Sequence, residues 1–149
     1  MRAVLQRVSY AKVTVEAKVI ASINKGIMVL VGFQASDDKA VMEYMLNKII
    51  KMRIFEDENQ KMNLSVADVK GELLIVPNFT LYGDARKGNR PSYSFGSKPE
   101  EALNQFEEFV KLAKESEIPS QSGQFQADMK VELLNDGPVT LLLDSDKVF

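Results

Sequence analysis

The chain has 149 residues, 45% hydrophobic and 27% charged, which suits one globular domain with a real core and argues against disorder. It contains neither histidine nor cysteine, so the Ser-His-Asp triad, the usual zinc-ligand sets, a cysteine nucleophile and disulfides are all excluded. A net charge of −2 and a pI near 5.3 leave no chain-wide positive field for long nucleic acid, so a nucleic-acid partner has to be met locally.

In chain order, Ala3–Val8, Lys12–Val15, Lys18–Ile23 and Gly26–Phe33 read as strands, rich in β-branched residues. The last is apolar on both faces and is expected at the centre of a sheet. Asp37 and Asp38 open a helix whose Val41, Met42, Met45, Leu46, Ile49 and Ile50 recur at helical spacing. Phe55–Lys61 is polar and reads as a loop. The run from Glu72 continues through Pro77 to Tyr82, and strict alternation would place Leu74, Val76, Asn78, Thr80 and Tyr82 on one face.

Residues 84–98 form a loop rich in Gly, Pro, Ser and basic side chains. Ser97 and Glu100 fit a capping box, ahead of a helix whose buried face is Ala102, Leu103, Phe106, Phe109, Val110 and Ala113. Strands follow at Met129–Leu134 and Val139–Leu143, separated by Asn135-Asp136-Gly137-Pro138, the composition of an ordinary reverse turn. The expectation is one α+β domain over residues 1–149, mostly an antiparallel or barrel-like sheet with two main helices. No run approaches the roughly 20 apolar residues that cross a bilayer, and Met1–Arg7 lacks a signal peptide's long apolar segment. A cytoplasmic location with no membrane partner is therefore expected.

Three stretches offer chemistry. Asn78 and Thr80 put an amide and a hydroxyl where an apolar face turns polar, which suits either a pocket floor or a strand end reaching solvent. Arg86, Lys87 and Arg90 concentrate three cations within five positions and could hold phosphates, although most such clusters are solvated surface. Neither a P-loop nor G-x-G-x-x-G is present. The acids Glu56, Asp57 and Glu58 are contiguous and point apart, so no metal and no cofactor is assigned.

Asn78-Phe79-Thr80-Leu81-Tyr82-Gly83 and Asn135-Asp136-Gly137-Pro138-Val139-Thr140 resemble the two signature motifs of the D-aminoacyl-tRNA deacylases. Met1–Val8, Lys51–Phe55, Lys87–Ser92 and Ala127–Val131 agree in order and spacing, so the resemblance covers essentially the whole chain. It implies a homodimer in which Gly137-Pro138, joined by a cis bond, reaches into the partner's pocket and rejects L-aminoacyl groups. The implied reaction is hydrolysis of the ester between a D-amino acid, or glycine, and the terminal ribose of tRNA, with the ribose 2′-hydroxyl assisting water. Such an ester is already activated, which suits a chain lacking His and Cys; the protein has mainly to position it and stabilise the oxyanion.

By the same resemblance Thr80 and neighbouring amides lie at the ester, with Asn78 beside them. Phe79 and Met129 lie near the adenosine or the pocket wall, and Arg7 braces the Gly-Pro loop. Thr80 has no base to make it a covalent nucleophile. Pro77-Asn78 stands where the family usually reads Ser-Gln, and Gln126 where it commonly has Gly. Proline at position 77 is similar to a related group that edits L-alanine on non-cognate tRNA. A third reading keeps the fold as a tRNA-binding homologue without turnover.

Overall fold

The computed structural model describes all of residues 1–149 and is organised on one strand, β1 (Arg2–Val15). The two stretches that the sequence separates, Ala3–Val8 and Lys12–Val15, are continuous, because the residues between them form a bulge instead of a turn. From Val8 to Ala11 β1 advances three residues while its partner advances two, Asn135 to Leu133. The extra residue resets the alternation, so Val8, Ala11 and Val13 all enter one buried cluster. Ala3 and Leu5 face the opposite, larger cluster.

One edge of β1 carries β3 (Gly26–Gly32) and then β2 (Lys18–Ile23), both antiparallel to it. The other edge carries β8 (Lys130–Asp144), antiparallel from Arg2 to Thr14. Beyond β3 lie β6 (Glu72–Pro77) and β7 (Ser120–Ser122), and these two additions are parallel. Parallel neighbours need crossovers, and the helices α1 (Lys39–Lys51) and α2 (Pro99–Glu115) supply them. The result is the expected single α+β domain, with a six-stranded sheet that is antiparallel around β1 and parallel at its far side.

Both helices cover one face of the sheet. Leu5, Ile27, Val29, Val31, Leu73 and Ile75 of the strands meet Met45 and Ile49 of α1 and Phe106 and Phe109 of α2. On β3 the alternate residue, Met28, points to the other face with Leu74 and Val76. That strand is apolar on both sides because it has core on both sides.

Helix α1 begins as its sequence suggests, with the Asp38 carboxylate accepting the Val41 N–H at 2.9 Å. Helix α2 does not. The capping box at Ser97 is not formed; the N-cap is Lys98, without a side-chain cap, and Pro99 occupies the first turn. Ser97 instead donates its hydroxyl to Gln105 Oε1 at 2.7 Å, because the buried Gln105 amide spends its nitrogen on the Gln34 and Asp37 carbonyls and needs a donor for its oxygen.

The polar stretch after residue 54 is also more ordered than a loop. Phe55, 1% exposed, anchors a short ladder of β4 (Phe55–Glu56) with β5 (Met62–Leu64). The Asp57 carboxylate takes the Asn59 and Lys61 N–H groups across the connecting turn, and the Lys61 bond leads in holding its pKa below the ordinary value.

Phe109 is fully buried between α2 and the sheet and meets Phe33 edge-on at 6.2 Å between centroids. Phe109→Ala should lower the unfolding free energy by about 3–5 kcal/mol in equilibrium denaturation, from lost burial and the cavity left behind.

Candidate functional site

Strand β6 does not continue to Tyr82. It ends at Pro77, whose ring removes a ladder donor; the Asn78 N–H makes one last bond to the Val31 carbonyl at 2.7 Å, and the chain turns into a 3-10 helix over Phe79–Tyr82. The alternation expected through Asn78, Thr80 and Tyr82 is therefore broken. Tyr82 turns inward to 3% exposure under the Arg2 guanidinium, which lies 4.6 Å from its ring centroid. Burial, with nearby carboxylates, pushes its phenol well above the usual range. Phe79 and Thr80 turn outward.

Asn78 caps this turn. Its Oδ1 accepts the Thr80 N–H at 3.2 Å and the Thr80 hydroxyl at 2.5 Å, so the two predicted side chains act as one unit. The unit sits at the edge of a cavity of about 1000 Å³, lined by Pro77, Asn78, Phe79, the Tyr93–Pro99 loop and Phe125–Met129. Thr80 does not itself line it. Met129 does, and its sulfur accepts the Gln124 N–H at 3.4 Å while resting on Gly123, where a Cβ would come within 2.7 Å of it. The walls are mostly apolar, with few polar groups, the usual make-up of a pocket for a small organic moiety.

Arg7, Gly137 and Pro138 lie elsewhere. Asn135–Thr140 is not a hairpin turn: β8 runs through it, and between Gln6 and Val8 of β1, two steps along, β8 spends five, Thr140 to Asn135. The surplus leaves the ladder as a bulge. Its Gly137–Pro138 bond is cis and Gly137 has φ +129°, a conformation that disfavours any side chain. Both residues are exposed, and neither lines the cavity of its own chain.

Arg7 reaches the residue just before Gly137. It is 5% exposed, donating Nη1–H to the Ile54 carbonyl at 2.7 Å and Nε–H to the Asp136 carbonyl at 3.0 Å, with the Asp136 carboxylate 3.5 Å away. Asn135 holds the bulge as well. Its Oδ1 accepts the Val139 N–H at 2.8 Å and its Nδ2–H is given to Thr140 Oγ1 at 3.0 Å, closing the bulge from inside. An Asn four residues before the residue that it caps is the only hint in the sequence.

The basic loop divides. Arg86 is held by its neighbour Asp84, with Nε and Nη2 at 2.9 and 2.8 Å from the two carboxylate oxygens. The Arg86 side-chain bond leads in bringing the Asp84 pKa down to about 2. Lys87 and Arg90 are exposed and form no ion pair. No three acidic side chains cluster to hold a metal ion, and no helix is long and apolar enough to cross a membrane.

A small α+β domain with an apolar cavity at a strand end, and a braced Gly-Pro bulge on the opposite edge of β1, has known counterparts. The family model described as D-Tyr-tRNA(Tyr) deacylase matches residues 4–144, and the chain belongs to that family. It is 58% identical to a D-aminoacyl-tRNA deacylase of Clostridioides difficile (strain 630) and 56% identical to one of Thermosipho africanus (strain TCF52B), in both cases over 100% of each chain. Among solved structures, the c-Myc DNA Unwinding Element Binding Protein superposes with a TM-score of 0.90 at 39% identity, covering 97% of this chain and 98% of that one. A probable eukaryotic D-amino acid tRNA deacylase shares the fold, with a TM-score of 0.80 at 17% identity over 95% of this chain and 97% of its own.

Arg7→Met should cost about 1.5–3 kcal/mol, since it leaves the Ile54 and Asp136 carbonyls without a charged donor. Arg7→Lys should recover little, because one ammonium cannot span both carbonyls; urea titration, with amide exchange at Val139, reads both effects. The Asp84–Arg86 contact should persist from neutral pH down through the ordinary carboxylate range. It should be lost only as pH falls towards about 2, since a lowered folded pKa keeps the carboxylate charged until then; a ¹³C titration of the Asp84 carboxyl follows this.

Proposed function

We propose that this protein is a cytoplasmic homodimer that hydrolyses the ester joining a D-amino acid, or glycine, to the terminal ribose of tRNA. The observation that carries the reading is the pairing of an apolar cavity floored by Asn78-Phe79 with an exposed, rigidly braced Gly137-Pro138 bulge that its own cavity does not use. Such a bulge suits the cavity of a second subunit. There its carbonyls meet the substrate's α-amino group, and its backbone leaves no room for an L side chain. A filter built of backbone excludes by clash, so it accepts many D side chains and still rejects their mirror images.

The protein contributes positioning more than proton transfer. The ribose 2′-hydroxyl assists water at the ester carbonyl, while backbone amides beside the Asn78–Thr80 unit stabilise the developing oxyanion. The Thr80 hydroxyl is committed to Asn78, which fits a positioning role and not that of a nucleophile. Phe79 and Met129 receive the terminal adenosine, and Lys87 and Arg90 are the loop cations free to meet backbone phosphates.

Purified protein given matched D- and L-tyrosyl-tRNA should release only D-tyrosine. Equal loss of both enantiomers would refute the filter, release of L-alanine from non-cognate tRNA would move the enzyme to the related editing group, and protection without release would mark a binding protein. A Cβ on Gly137 would lie 2.8 Å from Val139 Cγ2 and 2.9 Å from Arg7 Nη2. Gly137→Ala should therefore lower D-tyrosyl turnover by about 100-fold, the scale of a misplacement of about 1 Å in a preorganised site.

A further inference from the structure

We infer that Gln126 reads the edge of the 3′-terminal adenine through its carboxamide, an assignment that rests on the deacylase reading above. Gln126 lines the cavity and has φ +58°, a left-handed conformation that a glycine would occupy without strain. A long side chain held in that conformation at a cavity wall is an observation that calls for a role. The turn that holds it is closed by the Ala127 N–H on the Gln124 carbonyl at 3.4 Å.

Several other polar side chains of the same cavity are already engaged, leaving the Asn78 Nδ2 and the Tyr93 hydroxyl uncommitted beside Gln126. Asn78 Oδ1 serves Thr80, the Ser97 hydroxyl serves Gln105, and the Asp128 carboxylate holds Lys130 Nζ at 3.0 Å from both oxygens. The Gln126 carboxamide is committed to no other protein group, so its donor and acceptor are both free to meet a ligand. Side by side, an amide N–H and C=O match the N7 acceptor and N6 amino donor of adenine.

The rest of the cavity suits a base. Phe79 is 65% exposed, and its one aromatic neighbour, Tyr93, meets it at 72° with 5.1 Å between centroids, which leaves ring surface for stacking. Phe125 and Met129 extend the apolar wall on the segment that carries Gln126. The aminoacyl group is a poorer match for this amide, because its side chain varies and its α-amino group is assigned to the Gly137-Pro138 carbonyls.

The test uses full-length protein and D-tyrosyl-tRNA ending in adenosine, in 7-deazaadenosine, which lacks the N7 acceptor, or in purine riboside, which lacks the 6-amino group. The wild type should lose about tenfold in kcat/KM with each altered end, mainly through KM, as expected for one half of a bidentate contact. Gln126→Gly, which suits the backbone, should lower kcat/KM on the natural end by at least as much, since it removes both halves of the contact, and treat all three ends alike. Gln126→Glu keeps an acceptor for the amino group but no donor for N7, so it should still penalise purine riboside while no longer preferring adenosine over 7-deazaadenosine.

Equal wild-type turnover of the three ends would overturn the assignment and leave the deacylase reading standing. So would a Gln126→Gly enzyme that keeps the end preference and changes the ranking of D-amino acids. If no D-aminoacyl ester is hydrolysed, the deacylase reading falls and the assignment falls with it.

Discussion

Two steps along β1 span five along β8, and much of what distinguishes this fold follows from that mismatch. A ladder with equal counts on both sides would run straight and leave Asn135–Thr140 as ordinary strand. The surplus has to leave the plane, and a protruding backbone normally frays because its N–H and C=O groups lose their ladder partners. Here the partners are supplied from inside. Asn135 takes the Val139 N–H, and a buried guanidinium takes the Asp136 carbonyl while its other arm holds Ile54, at the end of the segment that follows α1. Arg7 thus ties the bulge to the helical layer. The bulge is thereby fastened to the core at two points.

The cavity is built by the opposite device, an ending instead of an insertion. Pro77 stops β6, the next four residues coil tightly, and the space vacated beyond the strand end is roofed by the Tyr93–Pro99 loop and Phe125–Met129. Bulge and cavity sit on different sides of β1, one on the β8 edge and one past β3 and β6. Within one chain the two do not form a continuous site.

The sequence was most legible where side-chain chemistry is periodic. The central strand Gly26–Gly32, the buried stripe of α1 and Phe106 and Phe109 of α2 all fall where spacing places them, because burial on a regular element leaves a regular trace. It was least legible where one polar side chain chose between local and distant partners. Ser97 had the spacing of a cap and went to Gln105, since an orphaned buried amide costs more than an uncapped helix start. The run to Tyr82 looked like continuous strand, yet Pro77 removed the donor that would have continued it. Asn135–Pro138 had the composition of a turn. Composition reports that a backbone leaves the ladder, not whether the strand resumes in register afterwards, and here it does. The motifs suggested the candidate site residues by family likeness; that Asn78 and Thr80 are hydrogen-bonded, and that Arg86 is tied to Asp84, came only with the geometry.

Strand β8 also faces a hazard general to sheets. It is 15 residues long, pairs only with β1, and carries exposed Leu134 and Leu142 along its length. A flat edge of that length is a template on which unrelated chains can add strand after strand. The excursion at Asp136–Val139 interrupts the row of free N–H and C=O groups near its middle, and Pro138 deletes a donor from it. The segment proposed to discriminate mirror-image substrates thereby also denies such additions one unbroken template.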